Sequence, residues 1–383
     1  MDLIYLDYAA TAPVLPEVLD AMLPFFILRY GNPSGVHKAG RDAHKAVEEA
    51  RRQVAAALGA ESREICFTSG GSESDNLAIQ GAAFARKEKG MHLITSQVEH
   101  HAVLNTCRWL EKQGFCVTYL PTDRYGRVDP EDVKRAIRPD TILVSIMTAN
   151  NEIGTVEPVA EIGKICHDHE VLFHTDAVQA AGMLKLDVHE LNADLLSISA
   201  HKFHGPKGAG ALYIRKGTRL DALIHGGAQE RNLRAGTENV PGIVGTGKAI
   251  EIAEAERETN AGRIRSLRDQ LIHTVLEQIP GTRLNGHPVE RLPGNCHFSF
   301  EGIDGEALLL RLDLAGIAAS AGSACTSGSV EPSHVLRAAG LTEKEAGGSL
   351  RITLGRETTR KEIEKTARIL KEIVEDLRRM SSL

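Results

Sequence analysis

Leu195-Leu-Ser-Ile-Ser-Ala-His-Lys-Phe-His-Gly-Pro-Lys-Gly208 passes from a largely apolar run into a cationic Gly/Pro turn within a few residues. Upstream, Val171-Leu-Phe-His-Thr-Asp-Ala-Val-Gln179 does the same, ending its apolar run on Asp176. Near-continuous apolar runs of this length read as strands covered on both faces. Further runs at Glu64–Thr68, His92–Ser96, Cys116–Leu120, Thr141–Ile146 and Ala211–Ile214 flank them, with helix-like stretches between most. Alternating strands and helices predict an α/β fold, a three-layer sandwich around a mainly parallel sheet.

The last third reads differently. Residues 263–278 form an amphipathic helical pattern, followed by a strand at Cys296–Phe300, a helix near 305–313 and a strand at Ser349–Leu354. Thr359-Arg-Lys-Glu362 is a capping box, and Ile363, Ala367, Leu370, Val374 and Leu377 then recur at helical steps. A smaller C-terminal α/β domain is expected. The predicted division gives residues 15–245 to a large domain, and residues 1–14 with 246–383 to a small one.

The chain has 383 residues, 51 acidic against 45 basic, and a net charge of −6, which argues against nucleic acid or an anionic membrane as a partner. No apolar run is long enough to span a membrane, and the N-terminus lacks a signal-peptide pattern. Six cysteines stand at positions 66, 107, 116, 166, 296 and 325 with no Cys-x-x-Cys pair, so a zinc ribbon is disfavoured. Reduced thiols and a cytoplasmic location are expected.

In open α/β sheets, ligands bind outside the carboxyl ends of the strands. Ser69-Gly-Gly-Ser-Glu-Ser-Asp-Asn76 follows one such end and opens a helix, as an anion cradle does; a tight turn with a capped helix explains it equally well. Asp176 is costly at the end of an apolar strand unless it meets a positive partner, or else it caps the next helix. Lys202 is placed to be a Schiff-base amine, although a lysine after a strand is most often a solvated surface charge. Together they meet the needs of pyridoxal phosphate: a phosphate cradle, an acid for the pyridinium nitrogen and an amine. The separation of Asp176 and Lys202, 202 − 176 = 26 residues, suits one strand–helix–strand crossover. His100 is placed to stack on the ring, and Asn151 follows another strand. His100 and His101 read less well as metal ligands, because no cysteine or carboxylate completes a site.

Five cysteines fall in strand or helix patterns, where inert packing is the default. Cys325 differs: it lies in Ala318-Ala-Ser-Ala-Gly-Ser-Ala-Cys-Thr-Ser-Gly-Ser329, a run of small residues with little to anchor a core. Ser-Ala-His-Lys202-Phe-His-Gly-Pro-Lys-Gly, Thr-Asp176-Ala-Val-Gln179, Val-Glu-His100-His and Ala-Gly-Ser-Ala-Cys325-Thr-Ser together resemble the cysteine desulfurases of the NifS/IscS type. The resemblance extends from Tyr5-Leu-Asp-Tyr-Ala-Ala-Thr11 through Gly31-Asn-Pro-Ser34 to Leu350-Arg-Ile-Thr-Leu-Gly-Arg356, essentially the whole chain.

The resemblance implies a fold-type I pyridoxal 5'-phosphate enzyme of the class V aminotransferase group, working as a homodimer. By matched position, Lys202 would hold the cofactor, Asp176 its pyridine nitrogen and Gln179 its phenolic oxygen. His100 would stack on the ring and assist proton transfer, and Asn151 would touch cofactor and substrate. Gly71, Ser72, Ser199 and His201 would bind its phosphate, with Thr237 reaching the phosphate of the neighbouring subunit. Arg351 would clamp the substrate carboxylate; Leu350, Ile352 and Leu354 share one strand face and leave Arg351 on the other. L-cysteine would become L-alanine, with sulfur held as a persulfide on Cys325 for an acceptor protein such as an iron–sulfur scaffold. No structural metal site is implied, only Cys325 as a transient ligand of an iron–sulfur cluster. The chain ends at Arg379-Met-Ser-Ser-Leu383, where housekeeping members carry a scaffold-docking extension, so docking by that route is not implied. A selenocysteine lyase, an aminotransferase or a non-catalytic sulfur platform would share the fold.

Overall fold

The structure, a computed structural model, describes residues 3–321 and 333–381; Cys325 lies outside the described residues. Twelve strands are described: β1 (Ile4–Tyr5), β2 (Ile65–Thr68), β3 (His92–Ser96), β4 (Cys116–Leu120), β5 (Thr141–Ser145), β6 (Leu172–Asp176), β7 (Leu195–Ser199), β8 (Gly210–Ile214), β9 (Thr282–Leu284), β10 (Asn295–Phe300), β11 (Ile317–Ala318) and β12 (Ser349–Thr353). Seven of them form one sheet in the order β2-β8-β7-β6-β5-β3-β4. Only β8 runs against its neighbours; the other pairings are parallel.

Side-chain alternation explains why this sheet must be covered twice. Ile65, Phe67, Leu196, Ile198, Ala211 and Tyr213 join one apolar core, whereas Cys66, Leu195, Leu212 and Ile214 join another on the opposite face. Helices Lys38–Leu58 and Val240–Gln278 cover the first face, and Gly71–Ala85 and His101–Lys112 the second. The predicted three-layer sandwich is thus present, with strand bounds within a residue of those expected.

Cys116 departs from expectation. It is exposed at the start of β4, the edge strand, with Sγ 3.7 Å from Arg138 Nη1. An edge strand lacks a neighbour on one side, so the packing role expected of this cysteine does not hold. Cys66, Cys107, Cys166 and Cys296 are buried as expected.

The helix expected over 263–278 begins at Val240 and has 39 residues, about 58 Å at 1.5 Å per residue. Pro241 and glycines 242, 245 and 247 read as breakers in sequence. Proline is tolerated in the first turn, and Asn239 caps that turn by accepting from Gly242 N at 3.2 Å. Gly247 is required by close approach: a Cβ there would meet Ala50 Cα at 2.6 Å. Tertiary packing overrides the local signal. The same helix then serves a second core, Ile264, Leu267, Leu271 and Val275 packing with Ile4, Leu6, Phe298, Leu350 and Ile352.

That second core holds the antiparallel sheet β12-β10-β9 and the pair β1-β11. The helix Arg360–Ser381 closes it. Its capping box forms as expected, with Thr359 N donating to Glu362 Oε2 at 2.7 Å and Glu362 N to Thr359 Oγ1 at 3.3 Å. Its own Ile363, Ala367, Leu370 and Val374 form the buried face.

Candidate active site

One cavity of about 240 Å³ opens at the carboxyl ends of the parallel strands, where the small antiparallel sheet faces the large one. Gly71, Ser72, His100, Asn151, Asp176, Gln179, Ser199, His201, Lys202 and Arg351 all line it. These residues come from the ends of β2, β3, β5, β6 and β7 and from β12, so the sheet topology assembles them. Thr237 does not belong to this cavity; it is exposed in the turn before Val240.

Lys202 ends a short 3-10 turn that follows β7 directly. Its ammonium donates to Ala9 O at 2.5 Å and Ala10 O at 2.9 Å. Gln179 Nε2 donates to the same Ala9 carbonyl at 3.0 Å, and His201 Nδ1 pairs with Thr11 Oγ1 at 3.1 Å. The arm after β1 therefore forms one wall. Sequence reasoning recognised its motif but gave it no role, because backbone carbonyls have no side-chain signature.

Asp176 is buried at the end of β6, with Oδ1 accepting from Val178 N at 2.9 Å. Burial pushes its carboxyl up to about 6, against the opposing pull of the Val178 N–H and of Lys202. Asp75, which sequence reasoning missed, is buried beside it; burial and the nearby Asp176 hold its carboxyl well above the usual range. Two adjacent carboxyls in a low dielectric cannot both ionise. The pair together therefore resists carrying two negative charges. Asp75 lies three and seven residues before Ala78 and Ala82 on the buried helix face, a periodicity that marks it in sequence.

The helix Gly71–Ala85 starts at the cavity without a side-chain cap. Its first N–H groups lack intrahelical partners, and Gly71, Ser72, Ser199 and His201 line the cavity there. Gly70 makes the approach possible at φ +149°, and a Cβ on the neighbouring Gly210 would meet Gly70 Cα at 2.7 Å. His100 caps the helix His101–Lys112, its Nδ1 accepting from Ala102 N at 3.1 Å. Burial first, then Lys202, pulls this imidazole down to about 4, so it is neutral at pH 7.

Arg351 is buried in β12 yet reaches the cavity wall. Its Nη1 donates to Asn151 O at 2.9 Å, and its Nη2 pairs with Asp7 Oδ1 at 2.9 Å. Asp7 was not foreseen; an acidic residue in an otherwise apolar arm is the signal that could have found it. A guanidinium already fixed in orientation suits a carboxylate ligand. With L-cysteine as the ligand that the resemblance implies, Arg351→Lys is expected to raise its KM about 10- to 100-fold, since a charge-assisted hydrogen bond is worth about 1.5–3 kcal/mol. Preference for L-cysteine over cysteamine, which lacks the carboxylate, should shrink by the same factor in steady-state kinetics.

The donor set fits pyridoxal 5'-phosphate on three counts. Uncapped helix N–H groups, serine hydroxyls and His201 suit a dianionic phosphate. A carboxylate poised near neutrality suits a pyridinium nitrogen. An amine held by two carbonyls suits covalent capture.

The aminotransferase class-V family model matches residues 4–366. A "Cysteine desulfurase IscS" of Methanosarcina thermophila is 57% identical over 380 residues, covering 99% of this chain and 94% of its own. A solved "NIFS-LIKE PROTEIN" superposes with a TM-score of 0.92 at 39% identity, covering 98% of this chain and 100% of that one. A further structure, "SspA in complex with cysteine", gives a TM-score of 0.82 at 41% identity over 93% of this chain and 100% of that one. On these grounds the chain belongs to the class-V aminotransferase family, among its cysteine desulfurases of the NifS/IscS type.

Proposed function

We propose that the chain is a pyridoxal-phosphate-dependent cysteine desulfurase that converts L-cysteine to L-alanine and passes the sulfur, held on Cys325, to an acceptor protein such as an iron–sulfur scaffold. The observation that carries the reading is that ten residues from separate segments, singled out in sequence, line one cavity. Lys202 would hold the cofactor; Asp176 would face its pyridine nitrogen, Gln179 its phenolic oxygen and His100 its ring, with Asn151 beside them. Gly71, Ser72, Ser199 and His201 would hold the phosphate, joined by Thr237 of a second copy in a homodimer. Once bound, the cofactor supplies an electron sink that weakens bonds at the α and β carbons of an amino acid.

The chain's own residues do the rest. Arg351 orients the substrate through its carboxylate. The amine of Lys202 on the cavity wall would, when not engaged, exchange a proton at Cα. The Val178 N–H and Lys202 favour the ionised form of Asp176 against its burial. Cys325 attacks the substrate sulfur, forming an S–S bond as the C–S bond breaks. We place the enzyme in the cytoplasm, with residues 15–245 holding the cofactor, and residues 1–14 and 246–383 supplying Arg351 and Cys325. No helix among the described residues is long and apolar enough to cross a membrane.

The test is direct. With pyridoxal 5'-phosphate and L-cysteine, the protein should release equimolar alanine and reducible sulfur, and mass spectrometry should find one added sulfur atom on the Cys325 peptide. Alanine formed only with a keto-acid acceptor, or turnover of L-selenocysteine but not L-cysteine, would refute it.

A further inference from the structure

Three consecutive residues that are not glycine, Glu230, Arg231 and Asn232, take left-handed backbone at φ +46°, +57° and +66°. Such a run persists only where its surroundings over-determine it, and strain of this kind clusters at functional positions. The clamp is Glu230. Its buried carboxylate takes Arg51 through two hydrogen bonds, Nη1 to Oε2 at 2.7 Å and Nη2 to Oε1 at 2.8 Å. Glu230 Oε2 also accepts from Phe67 N at 3.0 Å, and Arg231 Nη2 donates to Ile65 O at 2.6 Å. The strained segment is thereby fixed on β2, the strand that leads into Ser69-Gly-Gly-Ser72.

Arg234, in the same loop, is held against the first turn of the helix Gly71–Ala85. Its Nε donates to Glu73 Oε1 at 2.9 Å and its Nη2 to Oε2 at 3.5 Å. Glu73 Oε2 accepts in addition from Ser69 N at 3.0 Å and from the Ser69 hydroxyl. The carboxylate is thus folded back over the turn whose Gly71 and Ser72 line the cavity. Burial pushes the Glu73 carboxyl up, but Arg234 and Ser69 outweigh it and hold the group below its ordinary range, so it is ionised at pH 7.

A carboxylate in the first turn favours the helix itself. Here, however, the same helix end offers the N–H groups that suit a dianionic phosphate. Two anions at one helix end repel each other, since a first turn is shorter than the screening length of about 10 Å at 0.1 M salt. Among the described residues, Arg234 is the one cation paired with Glu73. We propose that Arg234 is a positioning residue of the phosphate cradle: paired with Glu73, it cancels the repulsion that this carboxylate would exert on the cofactor's phosphate, while Glu73 keeps the Ser69 turn in shape. The Glu230 clamp brings the guanidinium to that place.

The inference rests on the cofactor assignment within the proposed function, and the ligands are chosen to separate the two. Equilibrium dialysis of the full-length protein compares pyridoxal 5'-phosphate with pyridoxal, which lacks the phosphate. Arg234→Gln should bind pyridoxal 5'-phosphate about tenfold more weakly than the wild type, the scale of one uncancelled charge in a half-buried site. It should bind pyridoxal as the wild type does. Adding Glu73→Gln should restore most of the lost affinity, because no bare carboxylate is then left. Arg234→Lys, which keeps the charge, should bind close to the wild type.

A merely structural role would weaken both ligands alike, and a second substitution would deepen the loss. Equal losses for pyridoxal and pyridoxal 5'-phosphate, or a double variant no tighter than Arg234→Gln, overturn the proposal. If Arg234→Gln fails to fold, the double variant is compared with Arg234→Lys, and a double variant about tenfold weaker for pyridoxal 5'-phosphate overturns it. A wild type that binds neither ligand overturns the cofactor assignment. One that binds pyridoxal 5'-phosphate but releases no sulfur from L-cysteine overturns the desulfurase reading alone.

Discussion

Cys325→Ser is expected to end sulfur release from L-cysteine while leaving the bound cofactor's colour intact. A serine hydroxyl ionises far above any working pH, so no nucleophile replaces the thiolate, and turnover should fall by about 10³-fold or more, roughly 4 kcal/mol of barrier. Other cysteines offer no detour. Cys66, Cys107, Cys166 and Cys296 are buried, and burial pushes the thiols of Cys107 and Cys296 up to about 12. Cys116 is exposed, but it lies at the start of edge strand β4 and does not line the cavity. Cys116→Ser should therefore be silent. The check is sulfide release alongside the visible spectrum, with mass measured at each cysteine peptide. Sulfide release by Cys325→Ser at the wild-type rate would remove Cys325 from the reaction.

Which parts of this chain were legible in sequence follows from how each residue does its work. Strands β5, β6 and β7 are covered on both faces, so their apolar runs are nearly continuous and stand out. Lys202 and Asp176 stood out in turn because a polar residue ends such a run where a ligand would sit. The start of helix Val240–Gln278 did not, since its glycines serve the approach of another helix far away in the chain. Side-chain chemistry was readable; tertiary reasons for lacking a side chain were not.

The same division runs through the site. Arg351 was picked out by the resemblance, with strand alternation in support, and it lies opposite His297 in β10 with Leu350 and Ile352 turned into the core. Its partner Asp7 is separated from it by 344 residues, so the acidic residue in the arm was visible but its pairing with Arg351 was not. The partners of His334 and Glu152, which also line the cavity, are equally silent in sequence. His334 is set by a carbonyl of the residue before His100, Glu152 by a serine 181 residues away.

Lys202→Ala is expected to lower turnover by about 10⁴-fold, the upper range for a missing general base, and to change the protein's colour in a way that Cys325→Ser does not. In the wild type, borohydride reduction followed by mass spectrometry should leave the cofactor's mass on the Lys202 peptide. In the variant it should leave none, and gel filtration should strip cofactor that the wild type retains, because only the phosphate cradle and Asp176 would hold it. The fold should survive. Lys202 is half-buried at a cavity wall, and water entering the cavity can satisfy the carbonyls of Ala9 and Ala10 that its ammonium now holds. The loss should be partly reversible by added methylamine, which can take a proton at Cα but cannot restore the tether. Rescue of turnover without rescue of cofactor retention would assign both roles to one amine. Wild-type cofactor retention after gel filtration of Lys202→Ala would show that the tether lies elsewhere.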